Sequence, residues 1–210
     1  MATNVQTAYN QWADTYDSMD NKTRDLDKVA TQAMLATTSY SLVLEFGCGT
    51  GKNTEWLTQR AKQLTAADFS EKMISRAKQK VQASNVRFVQ ADISGQWPFE
   101  HGVYDLVTCN LILEHVPDIT PVFSEASRVL QKDGHFFISE LHPFKQYMGS
   151  KAKFEMDNKI LSPDCFTHHV SEYFETAAKN GFQCLQLREW FDDENRNSVP
   201  RLISFLFRKV

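Results

Sequence analysis

No run of about 18 consecutive apolar residues occurs in the chain, so no segment reads as a membrane-spanning helix and no membrane insertion is expected. The N-terminal stretch MATNVQTAYN has neither the cationic start nor the apolar run of a signal peptide, which points to the cytoplasm. Positive charge is also short. With 23 Lys and Arg against 26 Asp and Glu, the formal charge is −3, so there is no basic field to hold a phosphate backbone and no nucleic acid is expected as partner. Cysteines are few and far apart: Cys48, Cys109, Cys165 and Cys184 form no C-x-x-C pair, which favours reduced thiols over disulfides or a zinc site. Cys165 with His168 and His169 comes nearest to a metal-ligand group, but closed zinc sites need four ligands in recognisable pairs, and no metal is expected. Internal repeats and low-complexity tracts are missing too.

What remains is a chain of 210 residues with an ordinary 42% apolar content, enough for one domain with a proper core. Glycine numbers only eight, yet three fall at alternate positions in LVLEFGCGTG, residues 42–51. A short apolar run ending in Gly47, Gly49 and Gly51 reads as a buried strand that breaks sharply into a helix, where the lack of Cβ lets the backbone reverse and approach a ligand. Dinucleotide folds that seat a pyrophosphate use G-x-G-x-x-G. Here the pattern is G-x-G-x-G, and Glu45 stands two residues before it. That carboxylate would repel a pyrophosphate but tolerate the amino group of a ligand bearing an amino acid.

At these residues the sequence resembles the class I S-adenosylmethionine-dependent methyltransferases, specifically the type-11-like branch that includes ubiquinone and menaquinone biosynthesis enzymes. The resemblance extends over nearly the whole chain.

Alternation of short apolar runs with amphipathic stretches predicts an α/β protein with a Rossmann-like, doubly wound sheet and helices on both faces. Strands are expected at 42–46, 63–67, 86–90, 104–109 and 135–141, with helices over 52–60, 70–83 and 120–130 between them. Ser70 is the expected cap of the second helix, and Thr120 with Pro121 starts the third. Residues 143–164 read as a polar insertion of the kind that covers a site. A helix from Val170 to Gly181 and a hairpin of 182–189 with 202–208 complete the chain. The resemblance implies seven strands, mostly parallel, with the last one antiparallel and inserted between the fifth and sixth. It divides a single domain into an N-terminal helical lid at 1–35, a cofactor-binding core at 36–142, a substrate cover at 143–169, and a C-terminal helix and hairpin at 170–210.

Ligands of such sheets bind at the carboxyl ends of the strands, where strand order reverses, and the polar positions fall there. Asp68 suits the paired hydroxyls of a ribose, since a carboxylate accepts two hydrogen bonds side by side. Phe69 and Met73 offer apolar surface to an adenine. The resemblance implies that Asp92 reads the adenine amino group, that the Ile93 backbone reaches a ring nitrogen, and that Asn110 and Leu111 border the methionine portion. It implies S-adenosyl-L-methionine as cofactor and S-adenosyl-L-homocysteine as product.

A base is needed only if the methyl acceptor arrives protonated. His115, soon after the fourth strand, and His142, after the fifth, are the expected candidates. His168 and His169 start the following helix, and His101 and His135 suit turn and strand roles. Each can also be read as a structural residue. Tyr9, Trp12, Ala13 and Tyr16 share a helical face that packs on the domain or, as the family's Y-x-x-W-A-x-x-Y-D lid, closes Tyr9 and Tyr16 over cofactor and substrate. Lys145, Lys151, Lys153 and Lys159 read as a solvated face or as receivers of an acidic substrate. Arg201 is either a surface charge or the partner of a carboxylate, and His169 and Arg201 join the two tyrosines as candidate substrate contacts. The expected reaction is methyl transfer to oxygen, nitrogen or carbon of a small molecule. Competing readings are carboxyl methylation of a substrate carried on a protein, a cofactor-binding regulator without turnover, and a nicotinamide-dependent dehydrogenase, which the glycine spacing disfavours.

Overall fold

The computed structural model describes residues 3–152, 154–156, 159–161, 163–193 and 196–210. Two helices, α1 (Thr3–Trp12) and α2 (Lys22–Leu35), precede the alternating core of β1 (Leu42–Phe46), α3 (Thr54–Thr58), β2 (Gln63–Asp68), α4 (Glu71–Lys80), β3 (Val86–Gln90), β4 (Tyr104–Asn110), α5 (Thr120–Val129) and β5 (Leu130–Leu141). Then come α6 (Pro143–Tyr147), a hairpin of β6 (Phe154–Met156) and β7 (Lys159–Leu161), α7 (Val170–Lys179), β8 (Phe182–Trp190) and β9 (Leu202–Lys209). The main sheet has the order β3-β2-β1-β4-β5-β9-β8, parallel from β3 to β5. β9 runs antiparallel to both β5 and β8. This is the Rossmann-like, seven-stranded arrangement that the sequence implied.

Strand order reverses between β1 and β4, so the loops after these two strands diverge and open a crevice. Period-2 alternation divides the core between the sheet's two faces. Val43, Leu106 and Phe137 pack with Leu35 and Leu57 on the side of α2 and α3. Leu44, Phe46 and Phe136 pack with Phe123 and Tyr173 on the side of α5 and α7. Phe123 and Phe136 meet edge to face at 5.2 Å, and truncating either to Ala would cost about 3 to 5 kcal/mol.

Several element boundaries differ from the expectation. The helix expected over 52–60 is helical only from Thr54 to Thr58. Lys52 is drawn to Asp25 at 2.6 Å and the Asn53 amide donates to Asp27 at 2.9 Å, while the Asn85 amide takes the carbonyls of Thr58 and Ala61 at the other end. The helix capped by Ser70, whose hydroxyl accepts from Met73 N at 3.1 Å, stops at Lys80. At α5 the side chain turning the chain is Asp118, accepting from Thr120 N at 2.8 Å, so Thr120 is already helical. The insertion is not irregular throughout: it holds α6 and the β6–β7 pair. Lys153 lies outside the described residues.

Candidate active site

The turn after β1 is held by Gly47 N and Cys48 N, both donating to Ala67 O at 2.8 and 3.0 Å. Gly47, Gly49 and Gly51 have φ of 77°, 53° and 88°, a region that side chains disfavour. The three glycines serve different neighbours. A Cβ on Gly47 would lie 2.3 Å from Ile112 Cγ2, and one on Gly51 would lie 3.0 Å from Val81 Cγ2, so these two let the turn close against the β4 loop and the end of α4. Gly49 has no described neighbour within 4 Å of that position and faces open space.

That space is a cavity of about 330 Å³ at the carboxyl edge of the sheet. Every expected cofactor position except Gly51 lines it: Glu45, Gly47, Gly49, Asp68, Phe69, Met73, Asp92, Ile93, Asn110 and Leu111. Asp68 is fixed by two backbone donors, Gly49 N on Oδ2 and Ser70 N on Oδ1, both at 2.8 Å. Each oxygen keeps a second lone pair for a ligand. Burial pushes its carboxyl up, and the hydrogen bonds from the Ser70 and Gly49 amides oppose that rise. Burial likewise pushes Glu45 up to about 8, against the Thr54 hydroxyl that donates to it at 2.6 Å. Asp92 turns back to Ser94, accepting from its N and Oγ at 2.9 and 2.7 Å.

The β4 side of the crevice is shaped from below. Buried Glu140 accepts from Ile112 N and Leu113 N at 3.0 and 2.9 Å, and Leu111 adopts φ 54° with its N donating to Ser139 O at 2.8 Å. A leucine in the left-handed region is strained and is kept there by these contacts. They also place Ile112 where Gly47 must accommodate it.

Two lining residues on α2 escaped the sequence reading. Arg24 is 9% exposed and donates to the carbonyls of Tyr16 and, at 2.7 Å, Met19; its guanidinium stacks 4.0 Å over the Tyr16 ring. Its Nε has no partner among the described residues. No carboxylate among the described residues pairs with it, and a cation so placed beside a cavity suits an anionic group. Asp27 accepts from Asn53 and, at 2.8 Å, from Asn110, tying α2 to both crevice loops. The signal was the spacing of Arg24, Asp27, Ala30, Thr31 and Met34, all buried on one helical stripe, with two charged residues where apolar ones are usual.

α1 roofs the cavity, and a chain of polar contacts fastens it and the turn after it. Gln6 donates to Phe69 O at 3.0 Å, Asn10 accepts from Ser70 Oγ at 2.6 Å, and Asp17 accepts from Thr50 Oγ1 at 2.7 Å. Asp14 pairs with Arg76 and Asp17 also with Lys80. Tyr9, Tyr16 and His115 all line the cavity. The Tyr9 hydroxyl lies 2.9 Å from His115 Nε2, and His115 Nδ1 lies 2.9 Å from the carbonyl of Asp164.

Other expected site residues are elsewhere. His142 is buried outside the cavity lining, with both ring nitrogens engaged: Nδ1 accepts from Phe144 N at 3.1 Å as the cap of α6, and Nε2 meets Glu189 at 3.0 Å. It has no free nitrogen for a substrate. His169 precedes α7 with Nδ1 2.5 Å from the Tyr147 hydroxyl, and Arg201 is held by Asp192 and, at 3.1 Å, by Thr23 Oγ1; neither lines the cavity. Lys145 is 4.0 Å from Asp192, and neither it nor exposed Lys151 faces the cavity. Among the described residues no group of three or more His, Cys, Asp or Glu is arranged to hold a metal ion, and no helix is long and apolar enough to cross a membrane.

Comparison with known proteins agrees with this geometry. Residues 44–138 match the model of a family described as "Methyltransferase domain". The demethylmenaquinone methyltransferase of Lactococcus lactis is 31% identical over 80% of this chain and 71% of its own length. The ubiquinone biosynthesis O-methyltransferase of Pectobacterium atrosepticum is 27% identical over 72% of this chain, which spans only 60% of that relative. In fold, the chain resembles the DhpI–SAH complex at a TM-score of 0.76 and 21% identity, covering 99% of this chain and 96% of that one. An S-adenosylmethionine-dependent methyltransferase from Mesorhizobium loti superposes at 0.73 with 20% identity, over 88% and 98% of the two chains. The chain belongs to the S-adenosylmethionine-dependent methyltransferases.

Proposed function

We propose that this protein binds S-adenosyl-L-methionine in the roofed cavity and transfers its methyl group to a small-molecule acceptor. The observation that carries the reading is the joint presence, in one cavity, of the open face of Gly49, the pinned carboxylate of Asp68 and the guanidinium of Arg24. These groups suit, in turn, close approach of a ligand, a ribose diol, and the carboxylate of an amino acid. Glu45, Asp27 and Asn110 form the polar wall that would face an ammonium. Phe69 and Met73 offer adenine its apolar surface, with Asp92 and Ile93 at its edge.

The cofactor supplies an activated methyl on a sulfonium, so most of the driving force comes with it. The chain's work is to align an acceptor and exclude water. Tyr9 and Tyr16 close the roof, where their rings favour a nearby positive charge. His115, among the expected bases, is the one that lines the cavity, and we assign it that role for an acceptor that arrives protonated. The lid is α1 with the segment leading to α2, and residues 163–166 close the opposite side. The four free cysteines accord with a reducing compartment, and we place the protein in the cytoplasm.

Calorimetric titration tests the reading. S-adenosylhomocysteine should bind in the micromolar range and NAD should not; binding of NAD alone, or of neither, would defeat it.

A further inference from the structure

At the end of the sheet opposite the cofactor cavity lies a second recess, an open groove of about 550 Å³ over the starts of β2 and β3. Its origin is a missing crossover helix. Parallel strands are ordinarily joined through a helix that covers the sheet, but residues 91–103, between β3 and β4, hold none. Trp97 and Phe99 close the part of that face next to Phe46, at ring distances of 4.7 and 6.1 Å, and the amino end stays open. Register puts a polar row there. Thr65 is paired with Leu44 on one side and with Arg87 on the other, so all three share the face that Leu44 turns toward α5 and α7. Tyr104 reaches over β1 on the same face and brings its hydroxyl 3.3 Å from Thr65 Oγ1.

The groove is built to receive negative charge. Among its described lining residues there is no carboxylate, and its two cations, Lys62 and Arg87, are exposed and have no acidic partner among the described residues. Arg87 Nη2 makes one long contact, donating to Thr65 Oγ1 at 3.4 Å. Asp105, next to Tyr104 in sequence, lies outside the lining and is committed to the amides of Ser41 and Leu42 at 2.9 to 3.0 Å. Thr65 and Tyr104 are only 7% and 6% exposed. Their two hydroxyls carry two protons, and the bond between them uses one, while Arg87 can only donate. The second proton meets no acceptor among the described residues, a cost that an incoming acceptor would recover.

We propose that this groove is an anion site, separate from the cofactor cavity, and that its ligand is a small phosphate dianion held by Arg87, Lys62 and the hydroxyl pair of Thr65 and Tyr104. A guanidinium and an ammonium together balance two negative charges, whereas a lone carboxylate leaves one cation unmatched. A phosphate also has oxygens enough to serve both cations and the spare hydroxyl proton. The groove is larger than one phosphate, and Leu42, Val86 and Val103 give it an apolar wall for an organic part of the ligand. The site does not depend on the methyl-transfer reading.

Backbone amide resonances of the full chain test this. Titration with glucose 6-phosphate should move the amides of Thr65, Arg87 and Tyr104 with a Kd of about 1 mM or tighter, while glucose and acetate leave them in place. Inorganic phosphate separates the two sources of the ligand: weaker binding than the ester makes the occupant a phosphorylated compound, and equal binding makes it free phosphate. Arg87→Gln, a surface change, should weaken binding tenfold or more, and Lys62→Gln severalfold. The double variant Thr65→Val with Tyr104→Phe removes both hydroxyl protons while keeping the shapes, and should weaken it severalfold. Should that pair fail to fold, Arg87→Gln decides. The proposal is overturned if neither phosphate moves these amides, if acetate binds as well, if Arg87→Gln or the folded double variant leaves the affinity unchanged, or if the shifts fall instead on Arg24 and Gly49 at the cofactor cavity.

Discussion

At the cofactor end of the cavity, the strand ends and the turns that follow are fixed through backbone amides, Asp68 by Gly49 and Ser70 and, beneath the lining, Glu140 by Ile112 and Leu113, with Arg24 and Asp27 reaching in from α2. At the acceptor end, His115 is held between a helix of the roof and a carbonyl of the covering loop, through Tyr9 and Asp164. One end is therefore part of the sheet's own fold, and the other is assembled from pieces that lie on it. Damage to the first should appear as lost folding or cofactor affinity. Damage to the second should leave the sheet intact.

The sharpest break would come at Gly47. Gly47→Val combines a positive φ with a Cβ 2.3 Å from Ile112, and should cost about 2 to 6 kcal/mol of stability, measured by urea unfolding. Gly49→Ala meets no described neighbour and should cost only the conformational penalty of about 1 to 2 kcal/mol. Equal losses at the two glycines would mean that Ile112 does not press on the turn. Next in size is Asp68→Ala. Removing the acceptor of a ribose diol and of two amides should weaken S-adenosylhomocysteine by about 1 to 3 kcal/mol in calorimetry; a change within error would place the ribose elsewhere.

Removing residues 1–20 takes away the roof but no strand. The truncated chain should keep the circular dichroism of the sheet and bind S-adenosylhomocysteine about tenfold more weakly, a loss of about 1.4 kcal/mol. Unchanged affinity would reduce α1 to packing.

A further effect is on pH. Glu45 is raised by burial to about 8 from an ordinary 4.5, so the folded protein holds a proton there that the unfolded chain releases. Its stabilising contribution is full below pH 4.5 and is lost as pH rises toward 8, by up to about 1.4 kcal/mol per pH unit. Glu45→Gln should flatten that slope in pH-dependent melting. A ligand ammonium favours the charged carboxylate, so binding of S-adenosylhomocysteine at pH 7 should release a proton, visible as a buffer-dependent heat that the variant loses.

The same contrast explains what could be read from the sequence. Strand ends were legible because a buried parallel strand is an apolar run that stops at a polar residue, as LVLEF stops at glycine and QLTAA at Asp68. The glycine spacing, Glu45 within β1, Asp68 at the end of β2 and Asp92 after β3 needed no tertiary information. Arg24 and Asp27 did: a charged pair on a helix looks solvated until Asn53 and Asn110, 26 and 83 residues from Asp27, are known to meet it. His142 and His115 stand alike after strands in the sequence. What separates them is Glu189, 47 residues beyond His142 and hydrogen-bonded to its ring, against Tyr9, 106 residues before His115. The short α3 has the same origin, since its first residues are claimed by α2.

A crystal structure of the complex with S-adenosylhomocysteine tests the central claim most directly. The ribose hydroxyls should lie on Asp68, the amino-acid carboxylate at Arg24, and the sulfur toward His115. A nucleoside bound outside the turn of Gly47 and Gly49, or an empty cavity at saturating ligand, would contradict it.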